Sequence, residues 1–460
     1  MSNTKTIEAF FSPEKAAVIG ASNKKGSVGY TIFENLKKSK TKKVFPINPK
    51  YKKIQGVKAF SSIQKIKEKI DLAVIVVPAI VVPASLEECM KAKVKAVIIV
   101  SAGFSEIGEK KLTNQIESLI KKYPNTRVMG PNCVGVTDSF TGVDTTFFER
   151  SRMKTPKKGN LSFISQSGAL GSMILDWVAT QEFGVNKFCS YGNAMDVDEA
   201  DLLEYFGNDK QTKVITMYLE GARDGRKFFE VAKRVSKKKP IIILKGSRNE
   251  ETQKAAASHT GSLAGSSKVY EAVFHQSGII EADDLLDLFN IAKILEKEPL
   301  PKGNRVQIIT NGGGFGIVTA DQIISNGLKL SKLSKESIKN LKNIMPTDST
   351  ISNPMDLRGD ADIPRYKVAI ESALRDKNVD VVMVLVLFNL PTIEVKKLMS
   401  LKQARAKASK PTIVCAIGSD YTEKYMDTIE KAGFTTFNYP SVAAKAVKAM
   451  VSYAKFLKKN

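Results

Sequence analysis

The sequence predicts an α/β protein of parallel sheets with covering helices, divided into three domains. Three observations lead there. Short runs of Val, Ile and Leu recur along the chain and alternate with charged stretches of helical character. Runs this apolar suit strands buried on both faces, the condition of a parallel sheet. The 460 residues exceed what one core holds, and two charged stretches with Pro and Gly, RSRMKTPKKGN (150–160) and EKEPLPKGN (296–304), divide them. The expected domains are 1–150, 151–298 and 299–460.

The strands expected in the first domain are KAAVIG (15–20), KKVFPIN (42–48), LAVIVV (72–77), KAVIIV (95–100) and TRVMG (126–130). The second domain has LSFIS (161–165), VNKFCSYG (185–192), KVITMYL (213–219) and PIIILKG (240–246), and the third RVQIIT (305–310), VDVVMVLVL (379–387) and PTIVCAIG (411–418). The two linkers open similar units, PKKGNLSFISQSGALG (156–171) and PKGNRVQIITNGGGFG (301–316). Each reads as turn, buried strand, small-residue loop and helix start. The pair suggests a distant internal repeat, although any strand–loop–helix unit shares that outline.

Composition excludes several functions. The longest apolar run, 72–84, is broken by Pro78 and Pro83 and is too short to span a bilayer. The N-terminus lacks a basic region followed by an apolar one, so a cytoplasmic protein is expected. Cys89, Cys133, Cys189 and Cys415 are far apart and there are 2 histidines, so no metal site is expected. The net charge of +24 raises the question of nucleic acid. Of the 71 basic residues, however, 12 are Arg, and the Lys residues are scattered through helical segments. Nucleic-acid readers lean on Arg and aromatic platforms, so neither nucleic acid nor membrane is an expected partner. A Lys-rich surface can still steer polyanionic small ligands.

Ligands in parallel sheets sit at the carboxyl ends of strands, where this sequence places Gly- and Ser-rich loops. VIGASNKKGSVG (18–29) ends a strand and opens a helix, a form that can cradle phosphate with free N–H groups. Its Gly20, Gly26 and Gly29 do not have the GxGxxG spacing, so an ordinary turn is equally open. INPKY (47–51) sets Lys50 after a strand, and VVPA (76–79), SAGFSE (101–106) and GPNCVGV (130–136) add three further strand ends. So many edges on one sheet suit a long ligand with several phosphates. In the second domain Ser165, Gln166, Ser167 and Gly168 precede an apolar-periodic helix, either as an anion cradle or as a plain Ser cap.

His275 lies in a helical pattern and reads as a surface or core side chain. His259, in KAAASHTGSLAGSS (254–267), has no apolar anchor nearby and reads as a loop residue able to visit two sites. MYLEGARDG (217–225) sets Glu220 at a strand end, where a carboxylate can fix an imidazole tautomer. A phosphate cradle, an orienting carboxylate and a mobile His together describe a phosphohistidine site, with phosphoryl transfer as the expected chemistry. No GxxxxGK[ST] motif occurs, and the acidic DVDEAD (196–201) reads as a helix's first turn, so a nucleotide would be held by another polypeptide.

The motifs VIGASNKKGSVG, INPKY, SAGFSE, GPNCVG, SQSGALG, YGNAMDVDEADLLEY, YLEGARDG, SHTGSLAG, TNGGGFG and NPMDL, in this order, cover nearly the whole chain. In them the chain resembles the α subunit of archaeal ADP-forming acyl-CoA synthetases, in the succinyl-CoA synthetase superfamily. The resemblance implies a Rossmann-like CoA-binding domain followed by two flavodoxin-like domains. It implies a CoA site at Gly20, Ala21, Ser22, Gly26, Val28, Lys50, Val77, Pro78, Ser101, Ala102, Gly103, Asn132 and Cys133. It further implies a phosphate site at Ser165–Gly168 and catalysis by His259 with Glu220. The loop Asn311–Gly316 matches the family without a role we can assign. The implied reaction converts acyl-CoA, inorganic phosphate and ADP to acid, CoA and ATP through an acyl phosphate, on a short-chain or aryl acyl group. Mg-ADP or Mg-ATP would sit mainly on an ATP-grasp β subunit, in a heterotetramer of two α and two β chains.

Two rivals remain at this stage. An NAD oxidoreductase would want an acidic residue where Lys50 stands. A catalytically inactive CoA-binding regulator or scaffold would have no use for both His259 and Glu220.

Overall fold

The computed structural model describes residues 4–181, 184–247, 251, 266–406 and 408–459, and has a strand at each apolar run. His259 and the loop around it lie outside the described residues.

The first sheet contains β1 (Lys15–Ile19), β2 (Lys43–Ile47), β5 (Leu72–Ile75), β6 (Ala96–Ile99) and β7 (Arg127–Met129), with a small hairpin of β3 (Lys53–Ile54) and β4 (Val57–Lys58) beside it. Its order is β2-β1-β5-β6-β7 and every pairing is parallel. The second sheet contains β8 (Gly135–Asp138), β9 (Lys158–Ser165), β10 (Val185–Ser190), β11 (Val214–Leu219), β12 (Ile241–Lys245) and β13 (Ile280–Ala282), in the order β13-β12-β11-β9-β10-β8 with β8 antiparallel on the edge. Both sheets lie in one unit, Met1–Ala282.

Side-chain alternation explains why two sheets make one unit. Along β1, β5 and β6, one face presents Ala16, Val18, Leu72, Val74, Ala96 and Ile98 to a core that also holds Ile215, Met217, Ile241 and Ile243 of the second sheet. The other face sends Ala17, Ile19, Ala73, Ile75, Val97 and Ile99 into a separate core under its own helices. The helix Thr4–Phe11 joins the two sheets, with Phe11 stacked on Tyr205 at 5.2 Å between centroids and Glu8 accepting the Tyr205 hydroxyl at 2.7 Å.

The other unit, Asp283–Asn460, holds the third sheet: β14 (Arg305–Thr310), β15 (Lys329–Leu330), β16 (Met355–Asp356), β17 (Val381–Leu385), β18 (Thr412–Cys415) and β19 (Thr435–Phe437). Its path is β15-β14-β17-β18-β19, with β16 also paired to β14. The helix Leu285–Lys297, expected from sequence to close the 151–298 domain, packs in this unit, where Ile294 joins the core of Val306, Val447 and Met450. Glu298, in the expected linker, is buried and accepts from the Thr412 amide and the Thr435 hydroxyl.

Numbered within each sheet, leaving aside β8 and β16, the parallel strands of all three follow the doubly wound order 2-1-3-4-5. The repeat extends to wiring. The Ser165 hydroxyl donates to the Ser167 carbonyl at 2.6 Å, and the Thr310 hydroxyl to the Gly312 carbonyl at 3.1 Å. Gln166 accepts the Glu220 amide, and Asn311 accepts the Leu387 amide, so each carboxamide pins the loop after the neighbouring strand. A Cβ on Gly171 would meet Ser165 at 3.0 Å, and one on Gly316 would meet Thr310 at 3.0 Å. The two units share a scaffold, and Gly312, Gly313 and Gly316 of the loop Asn311–Gly316 have a packing reason.

No helix among the described residues is long and apolar enough to cross a membrane.

Candidate functional site

The carboxyl ends of the first sheet open onto a cleft of about 1110 Å³, and the start of the helix Gly168–Val178 with Glu220 forms part of its wall. Of the expected CoA-site residues, Gly20, Ser22, Val28, Lys50, Val77, Pro78, Ser101, Ala102, Asn132 and Cys133 line it. So do Gln166, Ser167 and Gly168 of the expected phosphate site.

The first loop is shaped by close backbone approach. Gly20 has φ +94°, and a Cβ there would stand 2.1 Å from the Val76 carbonyl oxygen. A Cβ on Gly29 would stand 2.1 Å from the Gly20 carbonyl oxygen. Glycine is therefore required at both places by contact between β1, β5 and the helix Val28–Lys37. Ser27, at the N-cap of that helix, gives its hydroxyl to the Lys24 carbonyl and does not cap the first turn, while Ser27, Val28 and Gly29 all line the cleft. A helix start of this kind suits an anion. Asn48 ties β2 to the loop by donating to the Ala21 carbonyl at 2.9 Å and accepting the Lys50 amide at 3.0 Å. We expect Gly20→Ala to cost about 1–2 kcal/mol through the left-handed backbone, with the clash against the Val76 carbonyl adding to it. The unfolding midpoint should fall accordingly, and an unchanged midpoint would refute this reading of the loop.

The next strand ends are joined by Glu106. It accepts from the Gly103 amide at 2.5 Å, the Phe104 amide at 3.1 Å and Asn193 Nδ2 at 2.6 Å. Burial would raise this carboxyl, but those hydrogen bonds outweigh it and hold the group below the usual carboxylate range. Asn193 also accepts from Asn132 at 3.3 Å, so a chain of side chains crosses from the first sheet to the second.

The second wall follows from register. Ser165 lies opposite Ser190 in β10 and Tyr218 in β11, which brings Gln166 and Glu220 to the same edge. The Ser167 hydroxyl caps the helix by accepting the Leu170 amide at 3.3 Å. Gln166 Oε1 accepts the Glu220 amide at 2.8 Å and the Gly221 amide at 3.1 Å. The Tyr218 hydroxyl donates to Glu220 Oε1 at 3.3 Å, and Lys245 donates to the Glu220 carbonyl at 2.6 Å.

Five expected site residues are placed differently. Ser165 is fully buried behind the loop, and its hydroxyl closes the turn. Ala21 is buried, and its carbonyl is held by Asn48. Gly26 (φ +77°) and Gly103 (φ +105°) shape their turns without lining the cleft. Cys133 borders the cleft, but its thiol turns inward to the Ile99 carbonyl at 3.3 Å, and burial pushes it up to about 12. These residues build the site rather than face it. Asn48, Glu106 and Asn193 line it unannounced, because their work is hydrogen bonding between distant segments.

Comparison with known proteins agrees along the whole chain. A CoA binding domain matches residues 14–139, a succinyl-CoA ligase like flavodoxin domain matches 158–295, and a ligase-CoA domain matches 306–457. The chain is 40% identical over 456 residues to the acetate–CoA ligase [ADP-forming] II subunit alpha of Pyrococcus furiosus, covering 98% of each. It is 47% identical over 349 residues to the acetate–CoA ligase [ADP-forming] of Methanocaldococcus jannaschii, covering 76% of this chain and 49% of that protein. Among solved structures, the acetyl-coenzyme A synthetase 1 of Ca. Korarchaeum cryptofilum in complex with phosphate and ADP is 34% identical with a TM-score of 0.90, over 98% of this chain and 97% of that one.

Proposed function

We propose, since this chain belongs to the family of ADP-forming acetate–CoA ligase α subunits, that it interconverts acyl-CoA, phosphate and ADP with free acid, CoA and ATP. The observation that carries the reading is the single cleft in which the strand ends of the first sheet meet the Gln166–Gly168 helix start and Glu220.

The residues present fit CoA. Gly20 and Gly29 let β1, β5 and the helix Val28–Lys37 close together, which brings the helix start to the cleft. The helix start at Ser27–Gly29 and Lys50 supply the positive potential that a diphosphate requires. The thioester, when bound, supplies an activated acyl group.

The N–H groups at the start of the helix Gly168–Val178 hold phosphate without reorganising. A phosphate oxygen adds to the thioester carbonyl and the C–S bond breaks, leaving acyl phosphate and a thiolate that takes up a proton. An imidazole nitrogen of His259 then attacks phosphorus, the P–O bond breaks, and the acid leaves as carboxylate. Glu220 accepts a hydrogen bond from the N–H of the other imidazole nitrogen and so keeps the attacking one free. The phosphoryl group then passes from His259 to ADP on an ATP-grasp partner, which also carries Mg²⁺. Two copies of each chain would complete the assembly.

The test is co-expression with a candidate ATP-grasp subunit, followed by assay of ADP-dependent acyl-CoA cleavage over acetyl, branched-chain and aryl acyl groups. We expect cleavage of at least one class, with ATP formed in equal amount and only when both subunits are present. No cleavage of any acyl-CoA by the assembled pair would overturn the proposal.

A further inference from the structure

The turn that carries Glu220 is held by an unusual set of acceptors. Its four successive amides, from Glu220 to Arg223, all donate to side chains. Gln166 takes the first two, the Tyr270 hydroxyl takes Ala222 at 2.8 Å, and Glu199 Oε1 takes Arg223 at 2.9 Å. Glu199 is the one ionisable carboxyl of the set. It is 1% exposed, and its second oxygen, Oε2, has no hydrogen-bond partner among the described residues. The nearby Tyr191 hydroxyl is also buried and unpartnered. A cavity of about 190 Å³ lies beside the turn, lined by Gln166, Asn193, Glu199, Gly221 and Arg223, so the turn has room to shift.

We propose that Glu199 is a positioning residue for Glu220: its Oε1 holds the Arg223 amide and with it the turn 220–223. The inference rests on the role given to Glu220 above. The groups that face Glu199 pull both ways, and the Arg223 amide itself favours the charged form. Asp198 precedes it and repels a negative charge, while Lys227, on the helix Gly225–Ser236, attracts one but already pairs with Asp198 and Asp201 at 2.7 Å each. Tyr191 and Tyr270 face it from other elements and add no charge at neutral pH, and Arg223 donates its guanidinium to the Ala194 carbonyl. Burial therefore dominates, and with Asp198 it pushes the Glu199 carboxyl up to about 7. Either form accepts the Arg223 amide, the carboxylate more strongly, so the anchor holds on both sides of that pH.

The experiment compares the co-expressed complex carrying Glu199→Gln or Glu199→Ala with wild type, measuring kcat and KM for acyl-CoA across the pH range. Glu199→Gln keeps an acceptor for the Arg223 amide, so its kcat should stay near wild type across the pH range. Glu199→Ala should lower kcat about 10- to 100-fold with a smaller change in KM, and Gln should recover most of the loss where Ala does not. A folded Glu199→Ala complex with wild-type kcat, or a Glu199→Gln complex as impaired as Glu199→Ala, overturns the inference. If Glu220→Gln is inactive while both Glu199 variants match wild type, this inference alone fails. If Glu220→Gln also matches wild type, the role of Glu220 fails with it.

Discussion

Replacing His259 by Ala should abolish uptake of acid-labile, base-stable label from radioactive phosphate and acyl-CoA, and with it all ATP formation by the assembled enzyme. The two losses are linked, because the proposed route to ADP runs through that imidazole. Glu220→Gln should behave differently. Gln keeps the size of the side chain, and the Glu220 amide can still donate to Gln166. What disappears is the negative charge that stabilises an imidazole carrying a proton on its far nitrogen. General base and tautomer control of this kind contribute about 100- to 10,000-fold, so turnover should fall within that range. KM for acyl-CoA should change little, since Glu220 stands at the second sheet's edge of the cleft and not on the first-sheet loops. Label should still reach His259, only slowly. Full labelling of His259→Ala, or wild-type turnover by Glu220→Gln, would refute the phosphohistidine route.

The parts of this molecule that were legible in the sequence share a physical cause. β1, β5, β6, β11, β12 and β17 are largely apolar runs because helices or a second sheet cover both faces. The short strands went unread. Gly135–Asp138, Ile280–Ala282, Met355–Asp356 and Thr435–Phe437 are 2 to 4 residues long, and their place comes from neighbours rather than from their own pattern. The cleft could be located because strand ends with small residues mark where backbone comes close to a ligand. Deciding which of those residues face the ligand needed coordinates: Ser165 and Ser167 are chemically alike, yet one is buried in the turn and the other caps the helix. Glu199 was hidden for a related reason. It sits in an acidic stretch that does form a helix's first turn, capped by Asp198, and nothing local sets it apart from its exposed-looking neighbours. The repeat was visible as a motif, but its meaning lies in the wiring. Where the second sheet's pinned loop carries Glu220, the third sheet's carries Leu387, so the same scaffold is kept without the acid.

The largest stability effect should come from Arg127. It stands at the start of β7, 5% exposed, with Nε on Asp196 at 2.9 Å and Nη2 on Asp201 at 2.5 Å. Asp196 also accepts the Val128 amide at 2.7 Å, so this network sews the first sheet to the segment that follows Asn193 in the cleft. Arg127→Leu leaves two mostly buried carboxylates without their shared cation, a change that typically costs about 3–5 kcal/mol. Lys should rescue poorly, because it lacks the fork that serves both acids. The pH dependence has a definite sign. Burial would raise Asp201, but its bonds to Lys227 and Arg127 win and hold it below the usual carboxylate range. In wild type this contribution is present above the ordinary carboxylate value and is lost as pH falls through the depressed one. Without Arg127 the burial penalty is less opposed, so the variant's deficit should be largest at neutral pH and shrink below about pH 4, where the unfolded chain's carboxylates are protonated too. A deficit independent of pH would instead assign the loss to packing of the Arg stem. Replacing Arg127, Asp196 and Asp201 together by apolar residues should recover much of the stability, since it removes the stranded charges along with the pair. The recovered protein should still show a raised KM for acyl-CoA, because the segment beyond Asn193 has lost its side-chain bond to β7.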